Sequence, residues 1–307
     1  MLEPAARFTA QIIATFGRHA EVRDSQGDVW KARPMGRKLG QVCGDEVLCE
    51  RNPHNDETLI VELLPRRTVL ARANARGDAE NIVANASLLT VVAAPVPEAD
   101  FFVVDRYLAA AESAGCAALI VANKCDLDNF GALQPALEVY RGLGYPVVST
   151  SKQIVAQSSA LRDAIGTHTA VFVGQSGVGK SSLIAQLVPQ ASLSAGELTR
   201  DDEGRHTTTA SRLYDLPGGG SLIDSPGVRD YAPAVAALEA RSLGFREVEQ
   251  RAAACRFADC QHIQEPNCAV REAVTNNLMD ARRYESYRRL RRLHETLRQS
   301  LRERSHR

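Results

Sequence analysis

The chain has 307 residues, 44% apolar and 24% charged, with 37 basic and 37 acidic side chains balancing to a formal net charge of zero. That length predicts two or three domains, and the composition is that of a globular protein with a real core. No apolar run reaches the length of a membrane span, and the opening MLEPAARFTAQ lacks the basic-then-apolar pattern of an export signal. Nothing here argues for membrane insertion or export, and a cytoplasmic location is expected.

Residues 1–69 read as a first domain. The runs FTAQIIATFG, AEVRD, DVWKA, DEVLCE and TLIVELL are short and apolar, and Ser25-Gln26-Gly27-Asp28 and Asn52-Pro53-His54-Asn55-Asp56 break them. Five short strands in so little chain predict a small antiparallel β-barrel. Arg33, Arg37, Lys38, Arg66 and Arg67 fall in its loops. A barrel with basic loops can hold nucleic acid, although basic loops also occur on bare scaffolds.

Residues 70–232 alternate apolar runs (LLTVVAAPV, AALIVANK, YPVVSTS, TAVFVGQS, GSLIDSPG) with helical stretches such as DRYLAAAESAG and KSSLIAQLV. This alternation predicts a mostly parallel α/β sheet covered by helices, with ligands at the carboxyl ends of the strands. The first motif met there is NKCD. A carboxylate at Asp126 accepts two hydrogen bonds from the N1 and exocyclic amine of guanine, a donor pair adenine lacks. Asn123 is expected to tie this loop to the phosphate loop, and the Lys124 stem to cover the base. The VSTS run, Val148 to Ser151, is expected to supply a backbone N–H to guanine O6, with Ser149 and Thr150 as the candidates.

About fifty residues later comes GQSGVGKSS, a phosphate loop in its proper strand-loop-helix context. It comprises Gly174, Gln175, Ser176, Gly177, Val178, Gly179, Lys180, Ser181 and Ser182. Its backbone N–H groups turn around phosphate oxygens, Lys180 reaches the outer phosphates, and Ser181 offers a hydroxyl to Mg²⁺. GRHTTT follows, with Thr207, Thr208 and Thr209 as competing ligands for Mg²⁺ and the γ-phosphate. The D-x-x-G element is DSPG, in which Asp224 would hold Mg²⁺ mostly through water and Gly227 would donate its N–H to the γ-phosphate. In an ordinary GTPase the phosphate loop precedes the base loop. Here every part is present in cyclically shifted order, as circular permutation produces when a domain's original ends lie close together. The shift leads the D-x-x-G element straight into the C-terminal residues, so nucleotide state could move them directly.

Residues 233–307 read as helical apart from one knot. CRFADCQHIQEPNC spells C-x4-C-x-H-x5-C, so Cys255, Cys260, His262 and Cys268 form a closed four-ligand set suited to one structural Zn²⁺. The other cysteines, Cys43, Cys49, Cys116 and Cys125, are scattered and read as ordinary reduced residues. From Ala281 to Arg307 there are ten Arg and three Glu, a local charge of +7. Tyr284, Tyr287, Leu290, Leu293, Leu297 and Leu301 recur at helical spacing, so this is a basic amphipathic helix whose arginines are expected to face water or a polyanion.

Taken together, the barrel, AENIVANAS, NKCD, GQSGVGKSS, GRHTTT, DSPGVR and the Cys/His knot resemble the circularly permuted, RsgA-like small ribosomal subunit biogenesis GTPases along nearly the whole chain. The resemblance implies an N-terminal OB-fold, a permuted P-loop GTPase core and a C-terminal α-helical zinc-binding domain. It implies GTP hydrolysis to GDP and phosphate, stimulated by the small ribosomal subunit, in late maturation of that subunit. Thr208 matches the switch residue. Many GTPases carry a water-orienting Gln after D-x-x-G; here that position is Val228, and the resemblance implies His206 as the substitute. One departure is Asn267, where the family tends to have Gly. The expected partners are the small subunit and its rRNA, with the protein a monomer. Rival readings are a GTPase of the large subunit, an RNA-binding module with a decayed nucleotide site, and an ATP-using kinase. The intact Lys180, Ser181, Asp224 and Asp126, together with NKCD, disfavour the last two.

Overall fold

A computed structural model of the chain describes residues 6–36, 39–51, 57–74, 78–153, 155–188, 211–229 and 231–305. The first five strands are β1 (Ala6–Phe16), β2 (His19–Asp24), β3 (Val29–Pro34), β4 (Glu46–Arg51) and β5 (Thr58–Leu63). They pair in the order β1-β2-β3-β5-β4, and β4 returns to β1, so the sheet closes into the expected barrel. Closure pairs the edges that an open five-stranded sheet would expose. Ile12, Val22, Val47 and Ile60 fill the barrel, each with no exposed surface. The length of β1 lets its edge away from β2 serve two partners in turn. Its first half pairs with β4, and beyond a register shift between Ile12 and Ala14 it reaches a strand of the next sheet. The extra residue of a bulge bends a strand in this way.

A hairpin, β6 (Val69–Ala73) and β7 (Ala79–Ala84), follows the barrel. The second sheet comprises β8 (Leu88–Ala93), β9 (Ala117–Asn123), β10 (Val147–Thr150), β11 (Thr169–Gly174), β12 (Ser211–Asp215) and β13 (Ser221–Asp224). Its order is β10-β9-β8-β11-β13-β12, parallel except for β12 against β13. The apolar runs mark all its strands except β12, which is short and carries charge. β8 is buried throughout, as a strand covered on both faces must be. Leu89 and Val91 face α1 (Phe101–Ala114) and α2 (Gln134–Gly142), while Leu88 and Val92 face α3 (Val155–Ile165) and α4 (Lys180–Leu187).

Beyond β13 come α5 (Pro226–Arg229), α6 (Arg246–Ala252), α7 (Ala269–Thr275) and α8 (Ala281–Ser305). Phe245, Val248, Val270, Tyr287 and Leu290 join the same apolar core as α1 and β8, so the C-terminal helices pack onto one face of the sheet. The apolar stripe of α8 is where its spacing puts it, but its arginines do not all face outward. Arg283 and Arg291 are 1% and 4% exposed. Periodicity assigns a face to a residue and says nothing of a carboxylate arriving from another helix. Arg283 donates to Glu247 and to Asp105, which sits on α1. Among the described residues no helix is long and apolar enough to cross a membrane.

Candidate functional site

The parallel strands bring the two distant loops together. β9 ends in NKCD and β11 in the phosphate loop, and β8 lies between them with both neighbours parallel. Their carboxyl ends therefore open on the same edge, as the alternating pattern requires. A cavity of about 660 Å³ lies there, lined by Asn123, Lys124, Asp126 and Leu127 from one loop and Ser176, Gly177, Gly179, Lys180, Ser181 and Ser182 from the other. Lys152 and Gln153 complete the wall.

Asn123 is buried and does what its motif predicts: its Nδ2 donates to the Val178 carbonyl at 2.8 Å. Thr150 Oγ1 donates to Asn123 Oδ1 at 3.0 Å and fixes the amide the other way up. This contact dictates Gly179. A Cβ there would collide with Asn123 Nδ2, and its φ of +102° is one that L side chains rarely adopt. Lys124 also reaches across, with Nζ donating to the carbonyls of Val96 at 2.5 Å and Gly177 at 2.8 Å. Lys180 is 8% exposed and its Nζ donates to Gly174 O at 2.6 Å and Gln175 O at 2.8 Å. Its charge is thus held inside the loop that phosphates would enter. The Gln175 side chain turns away from the cavity, accepting from Asp100 N and donating to Glu98 O.

Asp126 is exposed at the cavity. A hydrogen bond from Ser151 is the main cause that lowers its pKa, helped by a backbone donor and by the Lys124 charge. The carboxylate is thus kept in the acceptor-only form that a guanine edge needs. Ser149 and Thr150 lie within β10, and neither lines the cavity; the wall comes from the residues just after the strand. Ser151 lies in the stretch expected to meet guanine, but its hydroxyl contact with Asp126 and the wall formed by Lys152 and Gln153 escaped the sequence reasoning. The signal was the same VSTSK stretch, whose register only the strand end resolves.

Asp224 ends β13, one strand beyond β11, and so stands on the same edge as the phosphate loop. Val228 is 2% exposed and belongs to the core, as an apolar side chain at that position should. His206 and Thr208, with Thr207 and Thr209, lie outside the described residues. The chain leaving D-x-x-G does not pass freely to the C-terminal helices. Ala73 N donates to Ala232 O and Ala234 N to Ala71 O, so β6 clasps it first.

In the Cys/His knot, the ligand atoms of Cys255, Cys260, His262 and Cys268 all lie within 4.8 Å of one another. His262 Nδ1 is 3.4 Å from Cys255 Sγ and 3.5 Å from Cys268 Sγ, and those sulfurs are 3.9 Å apart. Tetrahedral zinc bonds of about 2.3 Å to sulfur and 2.0–2.1 Å to nitrogen require edges of about 3.8 and 3.6 Å. The set fits a zinc ion. Burial holds the His262 imidazole below its ordinary pKa, which favours the neutral form a metal ligand uses. Burial tends to raise the Glu265 carboxyl, but backbone N–H groups, led by that of Gln261, pull it down to about 2, and it ties the loop between the ligands. Asn267 has φ +55°, the left-handed region where Asn is the best substitute for Gly, so the departure leaves the turn intact.

Comparison with known proteins agrees with this geometry. Residues 63–233 match the family model of the RsgA GTPase. The small ribosomal subunit biogenesis GTPase RsgA of Pseudomonas aeruginosa LESB58 is 40% identical over 284 residues, covering 91% of this chain and 84% of the relative. The protein of that name from Ectopseudomonas mendocina ymp is 38% identical over 288 residues, with the same coverage. Among solved structures, YjeQ from Thermotoga maritima superposes with a TM-score of 0.74 at 26% identity, covering 94% of this chain and 99% of its own. YloQ, a circularly permuted GTPase, superposes with a TM-score of 0.73 at 24% identity, covering 95% and 96%; at that identity the likeness speaks for the fold.

Proposed function

The chain belongs to the RsgA GTPase family, and from that premise we propose that it hydrolyses GTP in the cavity between NKCD and GQSGVGKSS while engaged with the small ribosomal subunit. The observation that carries this reading is the cavity itself. It joins a base-reading loop to a phosphate loop although about fifty residues separate them in the chain.

Guanine lies against the Lys124 stem, with its N1 and exocyclic amine donating to Asp126, and Ser151 steadies that carboxylate. The triphosphate enters the phosphate loop, and Lys180 exchanges the Gly174 and Gln175 carbonyls for phosphate oxygens. Ser181 and Asp224 supply hard oxygen donors on the same strand edge, a set that suits Mg²⁺. The bound ion would neutralise charge on the β- and γ-phosphate oxygens. Gly227 donates its N–H to the γ-phosphate, and Thr208 completes the switch. Val228 cannot polarise water, so His206 is assigned to orient the attacking water once a partner orders its segment. Basal turnover is then slow and stimulated turnover fast.

Cys255, Cys260, His262 and Cys268 hold one structural Zn²⁺ that keeps the knot folded against α8. The proposed domains are a barrel over 1–69, the permuted GTPase over 70–232 and the zinc-binding helices over 233–307. The barrel and the exposed arginines of α8 meet rRNA, so subunit binding weakens as salt rises. The protein acts as a cytoplasmic monomer in late subunit maturation.

The test is GTP turnover by the protein alone, with isolated small subunits and with isolated large subunits. A large rise with small subunits only is expected, and His206→Ala should abolish most of it. A rise with large subunits only would overturn the partner, and full stimulation of His206→Ala would overturn its role.

A further inference from the structure

The D-x-x-G turn has a hydrogen-bonded backing that its motif does not contain. Ser211, the first residue of β12, donates its hydroxyl to Ser225 Oγ at 2.7 Å. Ser225 follows Asp224 directly and is 4% exposed. Its Oγ lies 3.6 Å from where a Cβ on Gly227 would stand, and its carbonyl accepts from Val228 N at 2.9 Å. Ser225 is thus the inner corner of the turn that carries both Asp224 and Gly227. Without Ser211, that buried hydroxyl would lose a partner, and a turn built on it would lose its reference point.

Ser211 is itself held from behind. Ser211 pairs with Thr15 of the barrel strand β1, and Arg212 pairs with Ala14 on that edge and with Asp224 on the other. Arg212 also ion-pairs with Glu21 of β2 at 3.0 Å, and Arg23 grips Asp215 with two guanidinium nitrogens. The barrel thereby anchors the strand that anchors the turn.

We propose that Ser211 is a positioning residue for GTP, holding Ser225 so that the Gly227 N–H points at the γ-phosphate. This rests on the assignment of Asp224 and Gly227 made above. The consequence is a selective one. GDP lacks the γ-phosphate that the Gly227 N–H would meet, whereas GTP depends on that contact. Base and inner-phosphate contacts belong to other loops and are untouched.

The experiment measures equilibrium affinity for GDP and for a non-hydrolysable GTP analogue by fluorescence, in Ser211→Ala, Ser211→Thr and Asp224→Ala. Ser211→Ala should weaken the analogue about tenfold, the scale of one well-placed hydrogen bond, and leave GDP within about twofold. Ser211→Thr keeps the hydroxyl on a strand that suits a β-branched residue and should restore the analogue. Equal loss of both nucleotides in Ser211→Ala would show a general structural role and overturn the proposal. A normal Ser211→Ala beside an Asp224→Ala that loses analogue and Mg²⁺ dependence would overturn it while leaving the D-x-x-G reading intact. If Asp224→Ala also binds the analogue normally, the D-x-x-G reading falls and takes the proposal with it.

Discussion

Removing the Arg283 side chain should loosen the C-terminal helices from the GTPase sheet. Arg283 is 1% exposed, and its guanidinium meets Glu247 at 2.7 and 3.0 Å and Asp105 at 2.8 Å. Arg282 completes the set by binding the other oxygen of Asp105 at 2.9 Å, and Tyr140 donates to Asp105 at 2.6 Å. Two arginines against two carboxylates make the cluster neutral. Arg283→Ala removes three charge-assisted hydrogen bonds and the contact of the guanidinium over the Phe245 ring. It leaves Glu247, whose side chain is 3% exposed, without its partner. Breaking a buried pair from one side costs about 3–5 kcal/mol. With an unfolding entropy of about 2.1 cal/mol/K per residue over the whole chain, that corresponds to a midpoint about 5–8 °C lower. Arg283→Lys should recover only a minor part, because one ammonium cannot bridge two carboxylates on different helices. Thermal melts followed by circular dichroism, with limited proteolysis of α8, provide the assay. A variant melting within about 1 °C of the parent, with α8 equally protected, would refute the view that this cluster clamps the C-terminal helices to α1.

Three further outcomes follow from the site and its surroundings. Ser151→Ala should let the Asp126 pKa rise toward the ordinary carboxylate value, since Ser151 is the main cause of its lowering. GDP affinity, measured by fluorescence from pH 7 downward, should then fade at a higher pH than in the parent; coincident curves would discount the contact. His294 is 2% exposed, and burial first, then Arg291 and Arg298, hold its pKa below normal. A depressed folded-state pKa means the unfolded chain takes up the proton first. Stability should therefore fall as pH drops through about 6.5, and His294→Gln should flatten that slope. Cys268→Ser, or a strong chelator, should remove one zinc per chain by elemental analysis and lower the melting midpoint by several degrees, because Cys260 and Cys268 share the core of Tyr287 and Leu290. A parent protein without zinc, or a midpoint indifferent to its loss, would discount the structural role.

The local signals in this chain were unusually complete. Alternation of short apolar runs was enough for the five barrel strands and for every parallel strand of the second sheet, because burial on one or both faces writes a pattern into adjacent residues. NKCD, GQSGVGKSS and the Cys/His spacing pointed to candidate chemistry for a related reason: each such site needs donors or acceptors at fixed offsets along one loop. Even the reordered GTPase was legible, since permutation moves motifs without altering them. Other features depend on partners remote in the chain. β12 was missed because Ser211–Asp215 is a strand only by lying between β13 and the barrel. Arg283 read as a surface residue because its carboxylates come from α1 and α6. Ser151 and the cavity wall at Lys152 and Gln153 waited on where β10 stops, a point set by pairing with β9 rather than by local propensity. The sequence by itself determined the chemistry each loop can perform. Tertiary structure decided which loops meet and what braces them, because hydrogen bonds and ion pairs across the chain depend on position in space and leave no periodic trace.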